Sequence, residues 1–205
     1  MKAAPRGGAA SSTILFIFRS DGRLLAFSEN KMNIVILAAG MGKRMHSRLP
    51  KVLQPIAGRP MIDHVLDASE GLSASPRVVV VGHAAENVME HLADRSDVTF
   101  ALQSPQLGTG HALRQALGQL DRNEPKTLVC LGDVPLLSRR TLEAIAREAE
   151  TSDLVLLTVE LDNPTGYGRI LRNPAGFVRA IVEEKDASPE ERRVREVNTG
   201  IMCLP

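Results

Sequence analysis

MNIVILAAGMGKRMHSRLPK, residues 32–51, decides how this chain is read. It opens on Asn33-Ile34-Val35-Ile36-Leu37, a compact apolar run that reads as a buried strand. A glycine-rich loop with Gly40 and Gly42 follows at once. In open α/β sheets the ligand crevice lies at the carboxyl ends of strands, so this loop falls where a ligand is expected. Glycine there lets the backbone turn tightly or approach a ligand, and loop N–H groups can cradle a phosphate. Residues 31–60 carry Lys31, Lys43, Arg44, Arg48, Lys51 and Arg59 and no Asp or Glu. In a chain of net charge +1 this single-sign window points to a local anion site. A solvated basic face is the alternative. The spacing is not that of a P-loop, which needs Gly-Lys-Ser/Thr after four intervening residues. Nor is it the dinucleotide fingerprint, because Met45 stands at its third glycine.

Outward from this stretch, strand and helix signals alternate. The expected elements are a helix over 60–68, a strand at Val78 to Val81 and a helix over 84–92. A strand over 98–102, a helix over 109–117 capped by Thr109 and a strand over 127–131 follow. A helix over 139–149 capped by Ser138 and a strand over 154–159 complete the series. Val78-Val79-Val80-Val81 is a continuous β-branched run, as in a strand covered on both faces. This rhythm predicts an α/β fold, a mostly parallel sheet flanked by helices. After Asp162 the pattern changes. Residues 167–171 and 177–182 read as an antiparallel pair about Asn173-Pro174-Ala175-Gly176. Residues 183–196 read as a charged surface helix or loop, and 201–204 as a last strand.

Residues 1–31 differ in composition and are expected to be an extension outside the core, with 32–205 forming the domain. A hairpin of 14–18 and 24–27 about Asp21-Gly22 is the other reading. The chain of 205 residues is 43% hydrophobic and 24% charged, with 3% aromatics. That excludes a disordered chain, and the scarcity of aromatics excludes a base-stacking platform. The charge balance argues against nucleic-acid and membrane-surface partners, and no apolar run reaches the roughly 20 residues of a membrane span. Cys130 and Cys203 fit two buried thiols in a reducing cytoplasm, with one disulfide the alternative. The five histidines show no metal-ligand spacing.

Two further clusters carry chemistry. Gln103, Gln106 and Leu107-Gly108-Thr109-Gly110-His111 combine amides suited to a nucleobase edge with a strand-to-helix junction whose N–H groups are open. An ordinary glycine-rich cap is the alternative. Leu131-Gly132-Asp133-Val134-Pro135 sets a carboxylate just past an apolar strand. Mg²⁺ often takes one or two such carboxylates with phosphate oxygens. A turn or helix cap is the competing role.

Taken in order, LAAGMGKRM, LPKVL, PIAGRPM, LQSPQLGTGHA, LGDVPLL, LLTVELDNPTGYGRI, IVEEKDAS and EVNTGI resemble the nucleotidyltransferases that make sugar nucleotides. The match is to the N-terminal part of the bacterial bifunctional N-acetylglucosamine-1-phosphate uridylyltransferase/glucosamine-1-phosphate acetyltransferases, from about Met32 to Pro205. The resemblance implies a Rossmann-like nucleotidyltransferase fold with a small antiparallel sugar-binding part. It implies uridylyl transfer from UTP to N-acetylglucosamine 1-phosphate in the cytoplasm, for cell-wall and lipopolysaccharide precursors, with Mg²⁺. Another sugar-phosphate nucleotidyltransferase or a non-catalytic nucleotide-binding fragment is the alternative. Arg44 and Lys51 would act on the triphosphate as catalytic residues. Leu37, Ala38, Ala39, Gly40, Gly42, Gln103, Gly108 and Thr109 would bind the nucleotide. Leu131, Gly132, Gly168, Glu183 and Asn198 would serve the sugar, and Asp133 the metal. Leu131 stands where relatives can carry Tyr. The family's fold continues beyond the length of this chain with a second metal ligand and a β-helical acetyltransferase domain. The expectation is therefore no acetyltransferase activity, weak or absent uridylyl transfer, and oligomers only with that further domain.

Overall fold

A computed structural model describes residues 31–42, 45, 47, 49–72 and 76–205. The expectations for the leader, apart from Lys31, lie outside the described residues. The described residues divide into two compact units, one running to Leu156 and taking up Gly200–Pro205, the other Leu157–Thr199.

The first unit contains β1 (Asn33–Leu37), β2 (Pro55–Ile56), β3 (Arg59–Pro60), α1 (Met61–Ala68), β4 (Arg77–Val81) and α2 (Ala85–His91). It continues with β5 (Val98–Leu102), α3 (Thr109–Ala116), β6 (Thr127–Leu131) and α4 (Arg139–Ala149). β5, β4, β1 and β6 lie side by side in that order and run parallel. Every residue of β4 is buried, as the apolar run Val78 to Val81 that follows Arg77 requires. On one face Val35, Val78, Val80 and Ala101 pack with Ala112 and Ala116 of α3. α1 buries Met61, Ile62, Val65 and Leu66, a helical stripe. Arg77, buried at the head of β4, donates to the Leu66 carbonyl and to Ser69 Oγ (3.1 Å) and pairs with Asp97. It thereby satisfies groups at the end of α1.

The sheet has one point of reversal. The chain leaves β1 for β4 on one side, while β6 lies against the other side of β1. Ligands of open α/β sheets bind outside the carboxyl ends of strands at such a point.

The second unit holds most of β7 (Val155–Glu160), then β8 (Arg169–Arg172), β9 (Val178–Val182) and the start of β10 (Glu196–Leu204). β8 and β9 are antiparallel, with a bulge at Leu171/Arg172, and β10 pairs with β8 at Val197↔Arg169. Asn173 Oδ1 accepts from the N–H groups of Ala175 and Phe177, both at 3.0 Å, which closes the hairpin. Residues 183–195 form turns and one short 3₁₀ turn at Glu191–Arg193, not a longer helix. The other end of β10 belongs to the first unit, antiparallel to β6 with Met202↔Val129.

Three expectations need correction. The cap of α3 is Gly108 rather than Thr109, and it makes no side-chain hydrogen bond. β10 starts at Glu196, not at Ile201. β2 and β3 form an unexpected two-residue hairpin through Ala57 and Gly58, both with positive φ (49° and 80°). Among the described residues no helix is long and apolar enough to cross a membrane.

Candidate functional site

A cleft of about 350 Å³ opens at the reversal point of the first unit. Its lining comes from the loop after β1 (Leu37, Ala38, Ala39, Gly40, Met41), from Lys51 and Val52, and from Gln103, Gln106, Gly108, Thr109 and Ala112. Leu131 and Asp133, at the end of β6, complete it. Three separate sequence clusters thus meet in one place.

The loop after β1 is held at its root and open beyond it. Leu37 accepts from Gly132 N–H (2.9 Å), and Ala38 donates to the Val80 carbonyl (2.8 Å). Those two groups are structural, so backbone recognition of a ligand falls to the residues that follow. Among the described residues no hydrogen bond takes the N–H of Ala39, Gly40 or Met41. Gly42 has φ +55°, and a Cβ there would lie 2.9 Å from Lys51 Cβ. Its missing side chain makes the room in which Lys51 sits. Arg44 lies outside the described residues.

Lys51 opens a single 3₁₀ turn whose next two residues, Val52 and Leu53, are buried. That anchor fixes the base of the lysine while its side chain stays 37% exposed. The Lys51 ammonium pairs with Asp133 Oδ2. A cation and a carboxylate therefore face each other where a phosphate chain would enter, and both remain accessible. Among the described residues no three His, Cys, Asp or Glu side chains cluster in a metal-binding group. The donor set therefore suits a Mg²⁺ shared between Asp133 and ligand phosphates, not one caged by protein alone.

Gln103 is buried, at 4% exposure. Its Nε2 donates to the Gly108 carbonyl (3.0 Å) and lies 3.1 Å from His111 Nδ1. Gly108 engages one amide hydrogen and His111 flanks the same nitrogen, while among the described residues no hydrogen bond takes the side-chain oxygen, which is the group left for a ligand. His111 serves to orient this amide. Gly108 has φ +98°, a region that favours glycine, and it caps α3 without a side chain. The first N–H groups of α3 are consequently open toward the cleft lining at Thr109.

Gly132 braces the site: its N–H ties β6 to β1, and a Cβ would lie 3.2 Å from Val52 Cγ1. Gly82, Val52 and Ala112 are missed by the sequence reading. A Cβ on Gly82 would come within 2.7 Å of Gln106 Nε2 and 2.9 Å of Ala39 Cβ. Its signal is a glycine directly after the four-valine run of β4. Val52 and Ala112 look like ordinary core in sequence.

Gly168, Glu183 and Asn198 gather in the second unit. Asn198 N–H donates to the Gly168 carbonyl (2.8 Å), and a Cβ on Gly168 would lie 3.3 Å from Glu183 Oε1. Thr199 Oγ1 is held nearby by the Leu157 carbonyl (2.6 Å). Cys130 and Cys203 are both buried and free, which removes the disulfide alternative.

Residues 34–198 match the MobA-like NTP transferase domain. The chain is 60% identical over 174 residues to bifunctional protein GlmU of Cupriavidus pinatubonensis strain JMP 134, covering 85% of this chain and 38% of that protein. It is 61% identical, over the same shares, to bifunctional protein GlmU of Azoarcus sp. strain BH72. The chain thus spans 38% of the length of these curated relatives. Among solved structures, a Bacillus anthracis protein described as a glucose-1-phosphate thymidylyltransferase superposes with TM-score 0.70 at 20% identity, over 84% of this chain and 71% of that one. HddC from Yersinia pseudotuberculosis superposes with TM-score 0.63 at 23% identity, over 84% and 76%. These two likenesses are of fold.

Proposed function

The chain belongs to the family of MobA-like NTP transferase domains, and from that premise we propose that it transfers a uridylyl group from UTP to N-acetylglucosamine 1-phosphate. The products are UDP-N-acetylglucosamine and pyrophosphate. The observation that carries this reading is the meeting of Lys51 and Asp133 in one cleft with Gln103 and the open start of α3. Cation, carboxylate, base-reading amide and free N–H groups are what a nucleoside triphosphate demands.

The sugar-phosphate oxygen attacks the α-phosphorus of UTP. A new P–O bond forms, the bond to the β-phosphate bridge breaks, and pyrophosphate leaves with the electron pair. The nucleophile is already ionised, so no general base is required. Lys51 neutralises charge on the phosphates and stabilises it as it builds in the transition state. Arg44 would share that work. Asp133 would hold Mg²⁺ together with phosphate oxygens, and the ion when bound offsets phosphate charge. The N–H groups of Ala39 and Gly40, and of Thr109 at the head of α3, position the nucleotide. The Gln103 oxygen suits the N3–H of uracil, a hydrogen that cytosine lacks, which supports UTP over CTP. Gly168, Glu183 and Asn198 offer acceptors and donors for the sugar. The unpaired buried thiols support a cytoplasmic setting.

Incubating the chain with UTP, N-acetylglucosamine 1-phosphate and Mg²⁺ tests this. Pyrophosphate should appear in equal amount with UDP-N-acetylglucosamine by phosphorus NMR. UTP binding without pyrophosphate release would make the chain a nucleotide-binding module. Release with CTP in place of UTP would reassign the base.

A further inference from the structure

Arg169 is the largest fully buried side chain among the described residues, 1% exposed, and the mechanism above gives it no part. It occupies the middle strand of the second unit, where the register pairs it with Val182 on one side and Val197 on the other. One step along, the same antiparallel registers set Gly168 against Glu183 and Asn198 against Gly168. The three proposed sugar residues therefore form a single rung across three strands, adjacent to the Arg169 rung. The Asn198-to-Gly168 hydrogen bond and the close approach of Glu183 to Gly168 both agree with this placement.

Side chains alternate faces along a strand, so Arg169 projects from the face opposite the sugar rung. There it acts as a hub. Its Nη2 donates to Glu184 Oε2 (2.6 Å), its Nη1 to the Tyr167 carbonyl, and Nε and Nη2 lie 3.4 Å from the Arg192 carbonyl. Glu184 spreads the contact further. Its Oε2 accepts from Gly166 N–H (3.2 Å), and its carbonyl accepts from Arg192 Nε (3.2 Å). The Arg169 guanidinium, and next the Gly166 N–H, hold the Glu184 carboxyl below its ordinary range. Two of the three chain segments that carry the rung, 166–168 and 183–184, are thus tied to one guanidinium and one carboxylate.

We propose that Arg169 and Glu184 are a positioning pair that fixes Glu183 and the Gly168 backbone for the sugar, without touching the ligand. The inference rests on the sugar reading given above. A buried arginine left without its carboxylate loses its strongest partner, and the 183–184 turn is freed to move Glu183 off the rung.

Calorimetric titration of the full chain with UDP-N-acetylglucosamine and with UDP tests the pair. Glu184→Ala should weaken UDP-N-acetylglucosamine about tenfold, the loss of one hydrogen-bonded contact, and leave UDP within about twofold. Glu184→Gln keeps an oxygen for Arg169 and Gly166 and should recover to within about threefold of wild type. In a Glu183→Ala background, Glu184→Ala should add no further loss, since it acts through Glu183. Equal loss for both ligands, an unchanged affinity, or full additivity with Glu183→Ala would overturn the inference. If the alanine variant does not fold, Glu184→Asp decides: it withdraws the charge by one methylene, and a selective threefold loss supports the pair while unchanged affinity removes it. A wild-type chain that binds UDP-N-acetylglucosamine no better than UDP overturns the sugar reading itself, a distinct failure that takes this inference with it.

Discussion

Gly40 and Gly42 stand two positions apart in one loop and answer to different demands. Gly42 has a left-handed φ, and any Cβ would collide with Lys51. Gly42→Ala should therefore cost about 1–2 kcal/mol in urea unfolding and weaken nucleotide binding by displacing Lys51. At Gly40 a Cβ would meet no protein atom within 4 Å. Gly40→Ala should leave the urea midpoint unchanged and still reduce UTP affinity in calorimetry, because the space it fills is the ligand's. Equal affinity for wild type and Gly40→Ala would place the phosphates elsewhere. Lys51 itself is the sharper test. Lys51→Ala should lower kcat/KM for pyrophosphate release by roughly 100-fold, the scale of one lost transition-state donor, and unchanged turnover would remove Lys51 from the site.

At the scale of elements, α4 shows what one cap does. Ser138 Oγ accepts from Thr141 N–H (3.1 Å), and the helix behind it buries Thr141, Leu142, Ile145 and Ala149. Ser138→Ala should cost about 1 kcal/mol, read as a drop of about 2–4 °C in melting temperature. That cap was legible because a serine preceded an amphipathic run. The cap of α3 was not: Thr109 is a good cap residue by type, but the left-handed turn at Gly108 takes the position. β1, β4 and β6 are plain from the four-residue apolar runs that follow their polar first residues Asn33, Arg77 and Thr127, as strands buried on both faces require. β10 was half-read. Glu196 is paired with Arg172 through two hydrogen bonds, Asn198 belongs to the sugar rung, and Gly200 bends with φ +80°, so its first residues look like loop until those partners are in place. The β2–β3 hairpin lacks the Asn-Gly or Asp-Gly signal, and Ala57 takes the strained position instead. The same limit holds for the site. Residues in motifs were found, whereas Val52, Ala112 and Gly82 act through packing that only the assembled sheet creates.

For the molecule as a whole, ionisation sets the pH range of stability. Burial pushes the Cys130 thiol up to about 12 and the Cys203 thiol up to about 11. In the unfolded chain a thiol ionises near pH ~8.5. A group whose folded pKa is raised stabilises below the unfolded value, and that contribution is lost as pH rises toward the folded one. The urea midpoint should therefore decline above about pH 9. The native protein should also resist a thiol-specific chromogenic reagent at neutral pH and yield both thiols once unfolded. On the acid side, burial opposes ionisation of Glu196, but hydrogen bonds from Arg172 and Thr158 outweigh it and hold the carboxyl below its ordinary value. Glu184 shifts the same way. These stabilise at neutral pH and are lost as pH falls through the lowered folded values, so the midpoint should fall below about pH 4.3. A midpoint that stays flat at both extremes would contradict these environments.

The pairing of β6 with residues 202–204 has a consequence in time. A ribosome delivers β6 long before those residues exist. Until they arrive, one edge of β6 carries open N–H and C=O groups beside an apolar face, the arrangement that recruits other chains. Closing that edge is a long-range event, slow relative to the local βα contacts made earlier. Newly made chains should thus pass through a sticky interval whose length is set by translation, and slowing synthesis between β6 and β10 should lower the soluble yield.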